Sequence, residues 1–164
     1  MSYEVTWIRE EIQMRRLHIG NGRKYKEGYI NIDFDNFFKT DVVRDITKGL
    51  PFDDNSVDEI VTEHTLEHID PSEIHFVFRE MYRVCKNKAL IHIVVPIGDG
   101  WANFPEHRSP WNAKSWIFFT GWNCPPQTGY TFKDAGHGVV KVPTEIDDDR
   151  KYGEELHFSL EVQK

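Results

Sequence analysis

The stretch from Val57 to Val95 constrains the fold more than any other part of the chain. Val57 to Glu63, with Val57, Ile60 and Val61 apolar, follows the turn chemistry of Leu50-Pro51-Phe52-Asp53-Asp54-Asn55-Ser56 and reads as a strand. Asp70, Pro71 and Glu73 then supply an N-cap, a first helical residue and a capping-box partner. From there Ile74, Val77, Phe78, Met81, Val84 and Cys85 recur at three- and four-residue steps, which predicts an amphipathic helix. Lys86 and Lys88 suit the negative end of its dipole, and Asn87 suits a left-handed cap. Ala89 to Val95 is nearly all apolar and closes at Pro96, the pattern of a parallel strand buried on both faces. Strand, helix and buried strand in succession argue for a mostly parallel α/β sheet.

The flanking segments fit such a sheet. Leu17 to Gly20, Tyr29 to Asp33 and Asp41 to Ile46 read as three earlier strands, and Val5, Ile8 and Ile12 predict an amphipathic first helix ending near Arg16. Beyond Pro96, the segment Ile97 to Tyr130 is dense in Gly, Pro and Trp, and only Asn112 to Phe119 looks helical. Val139 to Val142 and Leu156 to Val162 read as final strands that could pair antiparallel at a sheet edge, joined by the acidic turn Glu145 to Arg150. The 164 residues suffice for one domain, 1–164, with a core that needs no disulfide or metal staple.

Charge and composition exclude several function classes. A formal charge of -7 repels phosphate backbones, so no broad nucleic-acid surface is expected, and Arg15, Arg16, Arg23, Lys24 and Lys26 read as solvated surface. The longest apolar run, Ala89 to Ile97, contains His92 and Pro96 and falls far short of the ~20 residues that span a bilayer. The first residues are charged and lack the apolar core of a signal peptide, so a cytoplasmic protein is expected. Cys85 and Cys124 have no C-x-x-C spacing and read as ordinary thiols.

In open α/β sheets, ligands bind outside the carboxyl ends of the strands. Those ends carry Gly20-Asn21-Gly22, Asp33, Asp45-Ile46, Glu63-His64 and Pro96-Ile97-Gly98-Asp99. Taken singly, the glycines can serve a tight turn and the acids can be turn formers. Together they suit an adenosine: an acid at the second strand can accept both ribose hydroxyls, and one at the third can accept an adenine amino group. Glycines near the first strand let backbone N–H groups approach a carboxylate.

The run Leu17-His18-Ile19-Gly20-Asn21-Gly22, then Gly28 to Asp33, Asp41 to Ile46, Leu50 to Ile60, Leu66-Glu67-His68 and Glu80 to Lys86, resembles class I S-adenosylmethionine-dependent methyltransferases of the small branch with a shortened first crossover. The resemblance covers Arg16 to Gly98. It implies a Rossmann-like, mostly parallel sheet flanked by helices, in the order 3-2-1-4-5-7-6 with an antiparallel C-terminal edge strand. It also implies S-adenosyl-L-methionine as cofactor. Gly20, Asn21 and Gly22 would border its methionine part, Asp33 its ribose, Asp45 and Ile46 its adenine, and Glu63 and His64 its sulfonium side. Two departures stand out: His18 where many members carry an acid, and Lys24 where many carry a third glycine. The interval from Gly22 to Asp33 is too short for a strand, a full helix and a return, so the first crossover helix must be rudimentary or absent.

Methyl transfer from a sulfonium is an in-line displacement for which alignment and water exclusion can suffice, with a base needed only for a protonated acceptor. His68 and His107 are the candidate catalytic bases. Trp101, Phe104, Trp111 and Trp116 could line a substrate pocket or form a local core under the loop, and Phe104 to Trp111 is the expected site of acceptor recognition. The expected function is methyl transfer to an unidentified small-molecule acceptor. The alternatives are a non-catalytic cofactor- or nucleotide-binding module and, through His64-Thr65-Leu66-Glu67-His68, a zinc hydrolase of the H-x-x-E-H type. The zinc reading needs both histidines on one continuous helix, whereas His64 ends a strand and Asp70-Pro71 begins a new helix, so no metal ligands are assigned. A nicotinamide enzyme is disfavoured by the incomplete glycine pattern. The Trp-rich C-terminal third could cover substrate or form a homo-oligomer contact.

Overall fold

The computed structural model describes residues 14–98, 104–120, 128–143 and 152–164. Seven strands, β1 (Arg16–Ile19), β2 (Ile30–Asp33), β3 (Val42–Val43), β4 (Val57–Glu63), β5 (Cys85–Ile97), β6 (Phe132–Pro143) and β7 (Tyr152–Val162), form one sheet in the order β3-β2-β1-β4-β5-β7-β6. The first five run parallel, β7 is antiparallel to β5, and β6 is antiparallel to β7. This is the order and edge arrangement that the sequence resemblance implied.

Side chains alternate across the sheet, so each register row lies on one face. Leu17 aligns with Ile30 and Ile60, Ile60 with Ile91, and Ile91 with Leu160. Helix α1 (Ile74–Val84) contributes Val77, Phe78, Met81 and Val84 to the same buried core. Phe78 stacks on Phe119 of a short 3-10 turn (Ser115–Phe119) at 3.8 Å between ring centroids. The opposite row runs Asn31, His18, Val61, His92 and Ser159 and is mostly polar.

Several local expectations are revised. The helix starts one turn later than Asp70 and Pro71 indicate: Asp70 accepts from the backbone N–H and hydroxyl of Ser72, and no side chain caps α1. Asp70 thus closes an isolated turn, because its carboxylate bonds two residues ahead rather than into a helix. The chain passes from α1 directly into β5, and the left-handed residue is Lys88 (φ 67°) rather than Asn87. The third strand shortens to two residues because Asp45 turns the chain into a 3-10 segment (Ile46–Lys48). Asn112 to Phe119 yields only the 3-10 turn. Arg16 opens β1, Met14 and Arg15 before it are not helical, and residues 1–13 lie outside the described residues, as does the acidic turn before β7.

No helix intervenes between β1 and β2; residues 20–29 form turns. The buried Asn31 side chain organises this shortened crossover. Its Nδ2 donates to the carbonyls of Lys26 and Tyr29 and to Asp41 Oδ2 at 3.0, 3.0 and 3.1 Å. Its Oδ1 accepts from Lys26 N at 2.9 Å and lies 3.2 Å from His18 Nδ1. The loop therefore hangs on one amide, and deleting it strands buried His18 and several partly buried groups at once. Asn31→Ala is expected to lower unfolding stability by roughly 3 kcal/mol, measured by urea denaturation.

Candidate active site

The chain builds β1, β2 and β3 outward in one direction and then returns to place β4 on the other side of β1. The reversal puts a topological switch point between β1 and β4, where the strand ends diverge. The turn after β1 sits there. Gly20 (φ 69°) and Gly22 (φ 43°) are both left-handed, but for different reasons. A Cβ on Gly20 would fall 1.9 Å from Thr65 Oγ1, so this glycine admits the β4 loop, whereas a Cβ on Gly22 would meet nothing within 4 Å. Gly22 thus faces open space at the switch point.

The amides of this turn are already engaged. Gly20 N and Asn21 N donate to Ile32 O at 2.7 and 3.3 Å, and Gly22 N donates to Asp33 Oδ2 at 2.8 Å. Asn21 is buried, and its Nδ2 donates to the carbonyls of Gly22 and Lys39. A ligand therefore meets the open backbone surface at Gly22 rather than a set of unpaired N–H groups. Asp33 binds the turn through one oxygen and accepts from Phe34 N through the other, which leaves lone pairs on both. Just beyond it, Phe34 and Phe37 are 75% and 82% exposed, an aromatic pair that the reading of the sequence did not single out although Phe34-Asp35-Asn36-Phe37-Phe38 follows the second strand directly.

Asp45 and Ile46 also serve the local structure. The Asp45 carboxylate caps the 3-10 turn, accepting from Thr47 Oγ1 and Thr47 N at 2.7 and 2.9 Å, and the Thr47 hydroxyl above all keeps it below the usual carboxylate range. The Ile46 side chain is in the core.

At the end of β4, Glu63 accepts from Lys24 Nζ at 3.0 Å and lies 3.8 Å from Lys26 Nζ. Burial opposes its ionisation, but the two lysines outweigh it and hold its carboxyl below the ordinary range. Lys24 thereby bridges the short crossover to β4. His64 follows in the left-handed region (φ 52°), which is uncommon for a residue with a side chain. Its ring lies between two acids, with Nδ1 3.6 Å from Glu67 Oε1 and Nε2 2.9 Å from Glu155 Oε1 of β7. Glu67 foremost, and Glu155 with it, raise the His64 pKa against the opposing effect of burial.

His68 closes a 3-10 turn (Leu66–His68) and comes to the ring of His107, 4.8 Å between centroids and nearly perpendicular. The two candidate bases thus lie together. The loop carrying His107 is tied down by the Glu67 backbone carbonyl, which accepts from Arg108 N and Ser109 N at 2.7 and 3.0 Å, and by Ser109 Oγ donating to Ile69 O at 2.6 Å. Phe104 flanks His107 and is exposed. Trp111 is buried against Phe119 and Phe158, and Trp116 stacks on His137, while Trp101 lies outside the described residues. Pro71, His75, Ser109, Trp111 and Phe118 line a cleft of about 230 Å³ beside this loop.

Residues 17–93 match a family model described as a methyltransferase domain. Among solved structures, a chain of the complex between the Haloferax volcanii Trm112 methyltransferase activator and a methyltransferase is 14% identical, with a TM-score of 0.66 over 93% of this chain and 84% of that one. A SAM-dependent methyltransferase from Methanosarcina mazei is 16% identical, with a TM-score of 0.66 over 92% and 93%. Another from Archaeoglobus fulgidus is 18% identical, with a TM-score of 0.63 over 90% and 86%. A search of curated proteins finds no match. The family match covers residues 17–93, and the strand order is that expected of the class I S-adenosylmethionine-dependent methyltransferase fold.

Two predictions follow from the geometry. Gly20→Ala combines left-handed strain with a clash and should cost about 2–4 kcal/mol, whereas Gly22→Ala bears only the strain of about 1 kcal/mol; urea unfolding of both variants checks the difference. Because the folded-state pKa of His64 is raised, its ion pairing stabilises the fold fully below about pH 6.5 and is lost as pH rises through the raised value. The stability difference between wild type and His64→Gln, measured with EDTA present, should therefore shrink with rising pH across that window.

Proposed function

We propose that the chain transfers the methyl group of S-adenosylmethionine to a small-molecule acceptor bound beside the loop Phe104 to Trp111. What supports this reading is that the open Gly22 turn, Asp33 and Glu63 stand at the ends of β1, β2 and β4, and that the turn after β4 brings His68 against His107. The cofactor supplies an electrophilic methyl on a sulfonium. Asp33 accepts the ribose hydroxyls through its remaining lone pairs, and Phe34 and Phe37 offer flat faces to the base. Asp45 and Ile46 contribute through the adenine side of the cleft as an acid and a backbone, since the Ile46 side chain is in the core. Because the turn amides are occupied, the methionine zwitterion is taken up by the Lys24–Glu63 pair, its carboxylate on the lysine and its ammonium on the glutamate. Gly20 and Asn21 shape the turn beneath it, and His64 stands at the sulfonium side. Proton removal from the acceptor, where needed, falls to His68 and His107. The acidic surface and the lack of a membrane-length apolar helix among the described residues accord with a cytoplasmic enzyme acting on a small acceptor.

A binding module without turnover is the second reading, favoured by the Lys24–Glu63 bridge across the shortened crossover. Calorimetric titration with S-adenosylmethionine and S-adenosylhomocysteine decides whether the cleft holds the cofactor, and absence of binding at millimolar concentration would sink both readings. Asp33→Ala should weaken S-adenosylhomocysteine by about 1.5–3 kcal/mol, roughly a tenfold to hundredfold loss. Lys24→Ala should weaken S-adenosylhomocysteine but not 5′-methylthioadenosine, which lacks the amino-acid end. Binding without methyl transfer across nitrogen, oxygen and sulfur acceptors would select the module.

A further inference from the structure

The Glu67 carboxylate is the most anomalous polar group described in the protein. Its residue is fully buried, and neither Oε1 nor Oε2 has a hydrogen-bond partner. The nearest charged neighbour, His64 Nδ1, stays at 3.6 Å, beyond hydrogen-bond reach. His64 offsets part of the cost of burying this carboxylate, but no donor meets either oxygen at hydrogen-bond distance. Two imidazoles stand beside it. One ligand atom each from Glu67, His68 and His107 lie within 4.8 Å of one another.

We propose that Glu67, His68 and His107 form a binding site for a divalent transition-metal ion of the Zn²⁺ or Mn²⁺ class. Two neutral imidazoles and one carboxylate are a donor set suited to such ions and poorly suited to Ca²⁺, which takes six to eight oxygens. Bonds of about 2.0–2.2 Å bring tetrahedral ligand atoms to about 3.4 Å apart, so the three groups need close by little more than an ångström. The burial gradient gives the site a direction: Glu67 is buried, His107 half-buried and His68 exposed. An ion there keeps its open coordination positions toward solvent, as catalytic rather than structural sites do.

The supporting framework is in place without the ion. Glu67 and His68 are consecutive in one 3-10 turn, and His107 arrives on a separate loop held by the same residue's backbone carbonyl. The site differs from the H-x-x-E-H reading of the sequence, because His107 takes the position that His64 would hold there. His64 is instead paired with Glu155 at 2.9 Å. On the methyl-transfer reading above, from which this last consequence is drawn, an acceptor oxygen or nitrogen would complete the ion's coordination and lose its proton to solvent water, the two histidines then serving as ligands in place of the base role. Ion binding itself does not rest on that reading.

The test uses the full chain, stripped with EDTA and titrated separately with ZnCl₂, MnCl₂, CoCl₂ and CaCl₂. The expected result is a higher Tm with at least one of the three transition-metal ions, a single ion per chain by elemental analysis, reversal by EDTA and no shift with calcium. Co²⁺ bound by this set should also give a visible d–d absorption band. His107→Ala and His68→Ala lie on accessible segments, and each should weaken the ion at least roughly tenfold while the metal-free circular dichroism spectrum stays that of wild type. Glu67→Gln should do the same. No stabilisation by Zn²⁺, Mn²⁺ or Co²⁺, or undiminished binding in both histidine variants, would overturn the proposal. S-adenosylhomocysteine binding to wild type in EDTA is scored separately, so failure of the metal site and failure of the cofactor reading remain distinguishable.

Discussion

One buried amide decides the geometry of the shortened crossover at the end of β1. A parallel pair ordinarily needs a helical crossover of a dozen or more residues, which satisfies its own backbone groups. Here the connection between β1 and β2 has no helix, and Asn31 meets the loop's donors and acceptors instead. The same side chain reaches His18 on β1 and Asp41 ahead of β3, so three strands and a loop are registered through one residue. The glycine turn, the Lys24 bridge and the Asp33 carboxylate all hang from this arrangement. His18 belongs to it too: burial lowers its pKa and favours the neutral ring beside the amide.

Charge is distributed unevenly around the switch point. Lys24 and Lys26 neutralise Glu63 on the cofactor side, where each group is partly solvated and the pair can exchange partners at little cost. Across β4 the acids dominate: Glu67 and Glu155 enclose His64, and Glu155 also reaches His157 at 2.8 Å. One side of the strand end thus carries balanced charge and the other an excess of acid.

Much of the architecture could be read from the sequence because it rests on periodicity. The β4–α1–β5 unit and the antiparallel C-terminal pair express apolar spacing that packing reinforces, whereas the seven-strand order was implied by the family resemblance. Strand-end acids were legible for the same reason, since strand ends fix where they fall. What escaped was polar and local. Asn31 looks like an ordinary strand residue, and nothing in Ile30-Asn31-Ile32 announces five hydrogen-bonding partners. Asp70 presents a capping signature, yet its carboxylate closes onto Ser72 and the helix begins at Ile74. Glu155 comes from β7, and only the sheet order brings it to His64. Glu67 stood inside the most conspicuous motif of the chain, but its burial depends on a loop tied down by Arg108 and Ser109.

The placement of β7 has a consequence for how the molecule opens. It is the seam at which parallel pairing gives way to antiparallel, and it joins the β6–β7 hairpin to the rest of the sheet through β5 alone. A hairpin that forms its own ladder and docks along a single seam is a natural unit of sub-global unfolding. Glu155 crosses that seam to hold His64. Excursions in which the hairpin lifts away would therefore release the histidine at the end of β4, and the integrity of the cleft is linked to the docking equilibrium of two strands at the far edge of the sheet.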